Sequence, residues 1–256
     1  MTDTSCGTTM MIDPGLPTGA FADVVRSHGQ YIDLVKFGWG TALVTRDLDH
    51  KIAVLREHNI GFYFGGTLFE HYVWTGQLTD YLDFVDRKGA THIEVSNGTI
   101  PLDQSSKAEY VRRLAGYRPV LSEVGYKDAD RSALLTPQDW VDALREDLDA
   151  GAVTVITEAR ESGRSGIAGA DGHMRDDVLH AVLAEIDPAL VMFEAPTKEL
   201  QVELIRTVGP EVNLGNVAAA DVLGLETLRR GLRGDTLLQL TTGAQFGPRR
   251  PSTSAA

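Results

Sequence analysis

Cysteine is almost absent from this chain, which has a single one, Cys6, among 256 residues. One cysteine excludes an internal disulfide framework and fits a reducing compartment such as the cytoplasm. Cys6 also precedes the first predicted core element, which argues against a role as a catalytic nucleophile. No apolar run reaches the length of about 20 residues that a membrane-spanning helix needs, and no signal peptide is apparent. We therefore expect a cytoplasmic protein without a membrane span.

Positive charge is also scarce. The chain has 24 Lys and Arg against 36 Asp and Glu, so its formal net charge is −12. This balance excludes a protein that binds nucleic acid through a broad basic surface, and an anionic substrate would have to be held by a few locally gathered cations. Two kinds of motif are missing as well. No GxxxxGK[ST] or GxGxxG follows a predicted strand, and the seven histidines lack the spacing of a zinc site.

What the sequence does contain is an alternation of short apolar runs and helical patterns, repeated eight times. The apolar runs predict strands at residues 8–12, 32–37, 61–64, 91–95, 119–124, 153–157, 190–193 and 212–214. The helical patterns predict helices at residues 19–28, 47–58, 78–88, 105–115, 137–150, 175–186, 198–208 and 219–231. This alternation predicts a single-domain (β/α)₈ TIM barrel over residues 8–242, with a doubly wound open sheet as the alternative. We expect residues 1–7 to be flexible and residues 243–256 to be a disordered tail.

Polar side chains follow the predicted strands, and the sixth strand shows this most clearly. Its five β-branched residues, 153–157, are followed at once by Glu158, Arg160 and Glu161. The other polar or glycine residues at or near predicted strand ends are Asp13, Lys36, Gly66, Thr67, Glu70, Glu94, Ser96, Asn97, Glu123, Lys127, Glu194, Lys198, Asn213 and Asn216. Any one of them could be a helix cap or half of a structural ion pair. Because barrel enzymes build their active sites at the carboxyl ends of the strands, the whole set predicts a site there.

Two cations in this set have alternative interpretations. Lys36 lies between apolar residues of its strand, and an ammonium group among apolar neighbours has to be paired or has to hold an anion. Arg160 could grip a carboxylate or phosphate in a bidentate manner, or it could pair with the adjacent Glu158 and Glu161.

The carboxylates point to a hard metal ion. Glu123, Glu158 and Glu194 lie at the ends of three consecutive predicted strands and could supply oxygen ligands to a divalent cation such as Mg²⁺. The glycine-rich residues 163–172 (GRSGIAGADG) come directly after this part of the chain. They could be a flexible connector or a mobile lid over the site.

Six co-linear motifs resemble the phosphosulfolactate synthase family. They are KFGWG at 36–40, GGTLFE at 65–70, EARESG at 158–163, FEAPTK at 193–198, NLGN at 213–216 and LETLRRGLRGDT at 225–236. The resemblance implies a (β/α)₈ barrel, Mg²⁺ dependence and an assembly of identical subunits. It also implies the addition of sulfite to phosphoenolpyruvate to give 2-phospho-3-sulfolactate, the opening step of coenzyme M biosynthesis in methanogens.

The same resemblance suggests roles for individual residues. Lys127 would be the general acid, and Lys36 or Arg160 would act with Mg²⁺ to stabilise an enolate. The predicted metal ligands remain Glu123, Glu158 and Glu194. The residues assigned to substrate binding are Asp13, Gly66, Thr67, Ser96, Lys198, Asn213 and Asn216.

Three positions depart from the motifs of that family. Pro14 and Tyr126 stand where the family has lysine, and Asn97 stands where it has aspartate. The loss of two cations leaves open a second hypothesis, in which the same enolate chemistry serves another nucleophile or another phosphorylated enol acid. A third hypothesis is a non-catalytic relative kept for stress protection or interaction. The charges gathered at one end of the barrel argue against it, because a scaffold has little need of them.

Overall fold

Eight parallel strands form a nearly closed sheet in the computed structural model, which describes residues 7–240. Strands β1 to β8 span Thr9–Asp13, Leu34–Phe37, Gly61–Phe64, Ile93–Val95, Val120–Val124, Thr154–Thr157, Val191–Glu194 and Asn213–Ala218. Helices α1 to α10 span Thr18–His28, Leu48–Glu57, Gly66–Trp74, Leu78–Lys88, Gln104–Ala115, Ala129–Ala133, Pro137–Asp149, Asp176–Glu185, Lys198–Thr207 and Val222–Arg229. The predicted (β/α)₈ barrel is confirmed, and the open doubly wound sheet was the wrong alternative. The predictions for Cys6, for flexibility of residues 1–6 and for the tail at 243–256 lie outside the described residues.

The barrel has one seam, between β3 and β4. The strand order is β3-β2-β1-β8-β7-β6-β5-β4, and no regular ladder joins the two end strands within the described residues. Thr91 bridges the seam instead: its backbone N–H donates to the Phe62 carbonyl, and its hydroxyl accepts a hydrogen bond from the Phe62 N–H, both at 2.9 Å. Further along the seam, the Gly66 N–H donates to the Glu94 carboxylate. A carboxylate of the barrel interior therefore also helps to close the barrel.

Two helices were missed by the sequence analysis. Helix α3 begins directly after β3, where the polar and glycine residues had been interpreted only as a strand end. Gly65 has an extended backbone (φ −61°, ψ 155°), from which the chain turns directly into the helix. Leu68 and Phe69 lie on the buried face of this helix. Helix α6 has only five residues, too few for a periodic pattern to be recognised.

The barrel interior changes from apolar to charged along the strands. Its apolar layer consists of Met10, Leu34, Tyr63, Leu121, Ile156 and Met192. Since side chains alternate across a strand, the residue two positions later points to the same interior. Four such positions carry charge, at Lys36, Glu123, Glu158 and Glu194. The carboxyl ends of the strands therefore enclose a charged layer above an apolar floor.

No helix within residues 7–240 is both long enough and apolar enough to cross a lipid bilayer.

Candidate active site

A cavity of about 490 Å³ opens at the carboxyl ends of the strands. Its charged lining residues are Lys36, Glu94, Lys127, Glu158, Arg160 and Glu161. Four different strand ends contribute to this set, which is the arrangement expected of an active site in a barrel of this type.

Lys36 lies at the centre of the charged layer. Its Nζ atom is 3.0 Å from Glu194 Oε1, 3.1 Å from Glu123 Oε2 and 3.2 Å from Glu94 Oε2. The three contacts confirm that this lysine is paired, as its apolar neighbours along the strand required. The sequence did not show which acids face it across the barrel. Burial lowers the pKa of Lys36, but the three carboxylates outweigh it and raise this pKa well above its ordinary value.

A second lysine continues the network towards the mouth. Lys127 Nζ lies 2.9 Å from Glu123 Oε1 and 2.7 Å from Glu158 Oε2. Glu123 thus bridges the two lysines with its two oxygens, while Glu194 uses its second oxygen to accept a hydrogen bond from the Ala159 N–H at 2.9 Å. The result is one buried network in which acids and lysines alternate.

The network has an excess of negative charge. Within residues 7–240, the ion pairs of Glu94, Glu123, Glu158 and Glu194 are with Lys36 and Lys127 alone, so four negative and two positive charges leave a formal −2. Burial and the neighbouring acids raise the pKa values of three of the four acids, Glu94, Glu158 and Glu194. Burial raises the pKa of Glu94 to about 7 against the opposing effect of Lys36, and burial together with Glu123 and Glu194 raises the pKa of Glu158.

Glu123 differs from the other acids. Burial alone would raise its pKa, but Lys127 and Lys36 hold the pKa of this carboxyl well below its usual range. It is therefore the acid that the two lysines keep ionised, whereas its neighbours ionise less readily.

Three of the acids converge on one point. Glu123, Glu158 and Glu194 each offer a carboxylate oxygen, and these oxygens all lie within 4.8 Å of one another. Three buried carboxylates at this spacing could hold a divalent cation, and Mg²⁺ takes oxygen ligands of this kind. The structure therefore brings together the three residues that the sequence analysis had selected for that role.

Gly66, Thr67, Asn216 and Arg160 also line the cavity. Thr67 belongs to the first turn of α3, so the amino terminus of this helix faces the cavity. Asn216 has a left-handed backbone (φ 52°), and its buried Oδ1 has no hydrogen-bond partner within the described part of the chain. Arg160 is partly exposed, and its Nη1 donates to the Lys127 carbonyl at 3.1 Å.

Two predicted substrate-binding residues are buried beside the cavity, where other groups engage them. Asp13 accepts hydrogen bonds from two backbone N–H groups of the following turn, and its other oxygen lies 2.5 Å from Lys51 Nζ. The Ser96 hydroxyl donates to Glu70 Oε1 at 2.5 Å. Neither side chain lines the cavity. Their bonds connect the strands to α2 and α3, respectively.

Two further predicted substrate-binding residues lie away from the cavity. Lys198 is partly exposed and pairs with Asp235 at 3.1 Å. Asn213 is the first residue of β8, so it lies at the amino ends of the strands. Its Oδ1 accepts from the Thr8 N–H at 2.9 Å, and its Nδ2 donates to backbone carbonyls of the preceding segment. The structure does not bring either residue to the cavity.

The three departures from the family motifs occupy different environments. Only Pro14 lines the cavity. The Tyr126 ring stacks under the Arg131 guanidinium at 3.9 Å, and the Asn97 amide donates to the Leu102 carbonyl at 3.0 Å. Of the three, Pro14 is the one that can alter what the cavity binds.

Glu94 and Trp39 are among the cavity residues that had been given no individual role from the sequence. Glu94 carried a usable signal, since it is a lone acid between the apolar Ile93 and Val95 of a strand, and a charge there must face the barrel interior. The signal for Trp39 was weaker, because it lies inside the KFGWG motif but beyond the end of β2.

The glycine-rich residues 163–172 are tied to the barrel. Isolated antiparallel bridges pair Ala159 with Gly166 and Ala168 with Met174, and the Ile167 N–H donates to the Glu158 carbonyl at 2.8 Å. These bonds give the segment a defined backbone path next to the charged network.

A family model and several curated relatives identify one family. The family description "(2R)-phospho-3-sulfolactate synthase (ComA)" matches residues 2–235. The phosphosulfolactate synthase of Bacillus subtilis is 45% identical over 231 residues, covering 90% of this chain and 92% of that protein. The phosphosulfolactate synthase of Methanocaldococcus jannaschii is 40% identical over 235 residues, covering 90% and 93%. Among solved structures, 3-hexulose-6-phosphate synthase from Salmonella typhimurium superposes with a TM-score of 0.55 at 16% identity, covering 91% of this chain and 99% of that one, which supports the barrel fold alone.

Proposed function

Because the chain belongs to the phosphosulfolactate synthase family, we propose that this enzyme adds sulfite to phosphoenolpyruvate in a Mg²⁺-dependent reaction that gives 2-phospho-3-sulfolactate. The observation that carries the proposal is the buried network at the cavity, in which four carboxylates face two lysines and three of the carboxylates converge. Such a network of buried charges is costly to desolvate.

The network fits a divalent cation in two respects. Glu123, Glu158 and Glu194 offer oxygen ligands, and the formal charge of −2 would be neutralised by one Mg²⁺ ion. Glu94 Oε2 is a further buried oxygen near this network that has no hydrogen-bond partner within residues 7–240; it lies 3.2 Å from Lys36 Nζ. When bound, the ion supplies positive charge that stabilises the enolate form of the substrate carboxylate.

The proposed reaction needs one proton at a defined place. A lone pair on the sulfur of sulfite forms the C–S bond at the methylene carbon C3, and the π electrons of the C2=C3 bond move towards C2 and the carboxylate. A proton is then added at C2, and the phosphate ester remains intact. Lys127 lines the cavity and is the proposed donor, with the proton held on its Nζ atom.

The surroundings of Lys127 support this role. Burial lowers the pKa of Lys127, but Glu123 and Glu158 outweigh it and raise this pKa above its ordinary value, so the ammonium group is protonated before the reaction. Any ligand that neutralises these two carboxylates lowers the pKa of Lys127 towards neutrality, where a lysine is a more effective general acid.

The substrates are anions, and the outer part of the cavity offers groups that bind anions. The Thr67 N–H and hydroxyl lie in the first turn of α3, where the helix dipole favours negative charge. The partly exposed Arg160 guanidinium can form a bidentate contact with a carboxylate or phosphate. We assign the substrate phosphate and carboxylate to these two positions.

A ³¹P NMR time course of phosphoenolpyruvate with sulfite and Mg²⁺ tests the proposal. The expected result is a new phosphate-ester resonance without free phosphate, with turnover reduced by roughly 10²–10⁴-fold in Lys127→Met. Lys88→Met is the matched control, because Lys88 pairs with Asp49 outside the cavity. Unchanged phosphoenolpyruvate in the wild type would refute the proposed reaction.

Pro14 supports a second candidate, the same enolate chemistry with a less charged nucleophile. The Pro14 ring lines the cavity at the position where the family motif has a lysine. The cavity therefore has one cation fewer with which to bind sulfite. A panel of nucleophiles in the same assay decides between the two, and the candidate fails if sulfite is the best of the panel.

A further inference from the structure

Trp39 has a backbone conformation that is unfavourable for its side chain. Its φ is +54°, and the next residue, Gly40, has φ +68°. The turn that contains them is closed by two bonds to the Gly38 carbonyl, from the Thr41 N–H at 3.0 Å and from the Thr41 hydroxyl at 2.7 Å. Two successive positive φ angles are typical of a type I′ turn, where glycine, asparagine and aspartate are preferred and a bulky residue is strained.

No other bulky side chain in the described residues has this strain. The other two non-glycine residues with positive φ are Asn59 and Asn216, and asparagine tolerates this conformation far better. The position of Trp39 is therefore one at which the fold itself would favour glycine or asparagine.

Core packing does not explain the tryptophan either. Its side chain is 54% exposed, whereas the indole of Trp140 is fully buried in the core. The turn itself is held firmly, because Gly38 packs so closely on β1 that a Cβ atom would come within 2.9 Å of Ile12 Cδ1. A rigid, strained turn thus holds an exposed aromatic ring at the wall of the active-site cavity, three residues after Lys36. Strain of this kind is found where the side chain has a role in function.

We propose that Trp39 contacts the bound anionic enol substrate and covers it at the mouth of the cavity. The ring face shields the reacting C2=C3 unit from water, and the indole N–H is available as a donor to an oxygen of the substrate. This inference rests on the proposed function for the identity of the substrate. Trp39 is then a substrate-contacting residue, and the backbone strain is the cost of placing its ring there.

Intrinsic fluorescence gives a direct test, because the chain has three tryptophans. Trp74 is 67% exposed but does not line the cavity, and Trp140 is buried, so Trp39 is the tryptophan at the site. Phosphoenolpyruvate with Mg²⁺ should cause a saturable change of emission in the wild type and in Trp74→Phe. The change should be absent in Trp39→Phe.

Kinetics and stability together separate a substrate contact from a structural role. Trp39→Gly removes the ring and relieves the backbone strain, so its melting temperature should be equal to or above that of the wild type. Its KM for phosphoenolpyruvate should rise about tenfold or more, as for loss of a good substrate contact, with partial recovery in Trp39→Phe. A lower melting temperature or a changed oligomeric state, with KM unaltered, would overturn the inference.

The two proposals can fail independently. Turnover of sulfite and phosphoenolpyruvate without any fluorescence or KM effect at Trp39 would overturn the contact alone. Saturable quenching of Trp39 by phosphoenolpyruvate without product would overturn the sulfite reaction and support the contact. Absence of both signals would overturn both.

Discussion

Mg²⁺ should stabilise this protein against thermal unfolding. The folded state holds Glu123, Glu158 and Glu194 with oxygens within 4.8 Å of one another, in a network with a formal charge of −2. The unfolded chain scatters these carboxylates in water, where they repel one another little and bind the ion weakly. A cation that binds only the folded state shifts the unfolding equilibrium towards it.

The expected size follows from mass action. At a free Mg²⁺ concentration about 100 times Kd, binding to the folded state contributes about 2.7 kcal/mol. A domain of roughly 150–250 residues gains about 2–4 °C in Tm for each kcal/mol, so the melting temperature should rise by about 5–11 °C at saturation.

Scanning calorimetry after dialysis against EDTA, followed by Mg²⁺ titration at constant ionic strength, measures this rise. Glu158→Gln should lose most of it, because one of the three converging ligands becomes a neutral amide. Glu161→Gln is the matched control, since Glu161 is an exposed neighbour outside the buried network. A rise in Glu158→Gln equal to that of the wild type, or no saturable rise at all, would refute the metal site.

Two further predictions concern single groups. Lys51→Met leaves the buried Asp13 carboxylate without its ion-pair partner. Urea unfolding should therefore show a free energy of unfolding lower by about 3–5 kcal/mol, while KM of the folded enzyme is unchanged. A change in KM would show that Asp13 does contribute to substrate binding. Burial raises the folded-state pKa of Glu94 from 4.5 to about 7. The contribution of this group to the free energy of unfolding is therefore fully present below pH 4.5 and is lost as pH rises through about 7. Urea unfolding of the EDTA-treated protein should therefore show lower stability at pH 8 than at pH 5, and Glu94→Gln should reduce that difference; an equal difference in both proteins would contradict this assignment.

The fold was predictable because its signal is local. Apolar runs and helical periods alternate, and each can be recognised from neighbouring residues alone. The charged layer was partly predictable for the same reason, since Glu123, Glu158 and Glu194 lie two residues beyond Leu121, Ile156 and Met192 on the same face of each strand.

The partners of these residues were not predictable, because they are distant in sequence. Lys36 and Glu194 are 158 residues apart in the sequence, and no local sequence pattern predicts such a pair. Asn213 illustrates an error of boundary. The predicted eighth strand ended at residue 214, which placed Asn213 at the active-site end, whereas β8 runs from Asn213 to Ala218 and leaves Asn213 at the opposite end.

The seam between β3 and β4 gives a last prediction, in which two glycines of helices behave oppositely. A Cβ atom on Gly66 would lie 2.3 Å from Ser96 Oγ and 2.7 Å from Glu94 Oε1, and Ser96 is held in place by Glu70. Gly66→Ala should therefore lower the free energy of unfolding in urea by about 1–3 kcal/mol. It should also reduce activity, because the new methyl group displaces Glu94 from the charged network. A Cβ atom on Gly19 in α1 meets no atom within 4 Å. Gly19→Ala should therefore raise the free energy of unfolding by about 0.4–1 kcal/mol. Equal effects of the two substitutions would mean that the residues at the seam move aside for the methyl group without loss of stability. The Gly66–Glu94 contact would then not hold the charged network in place.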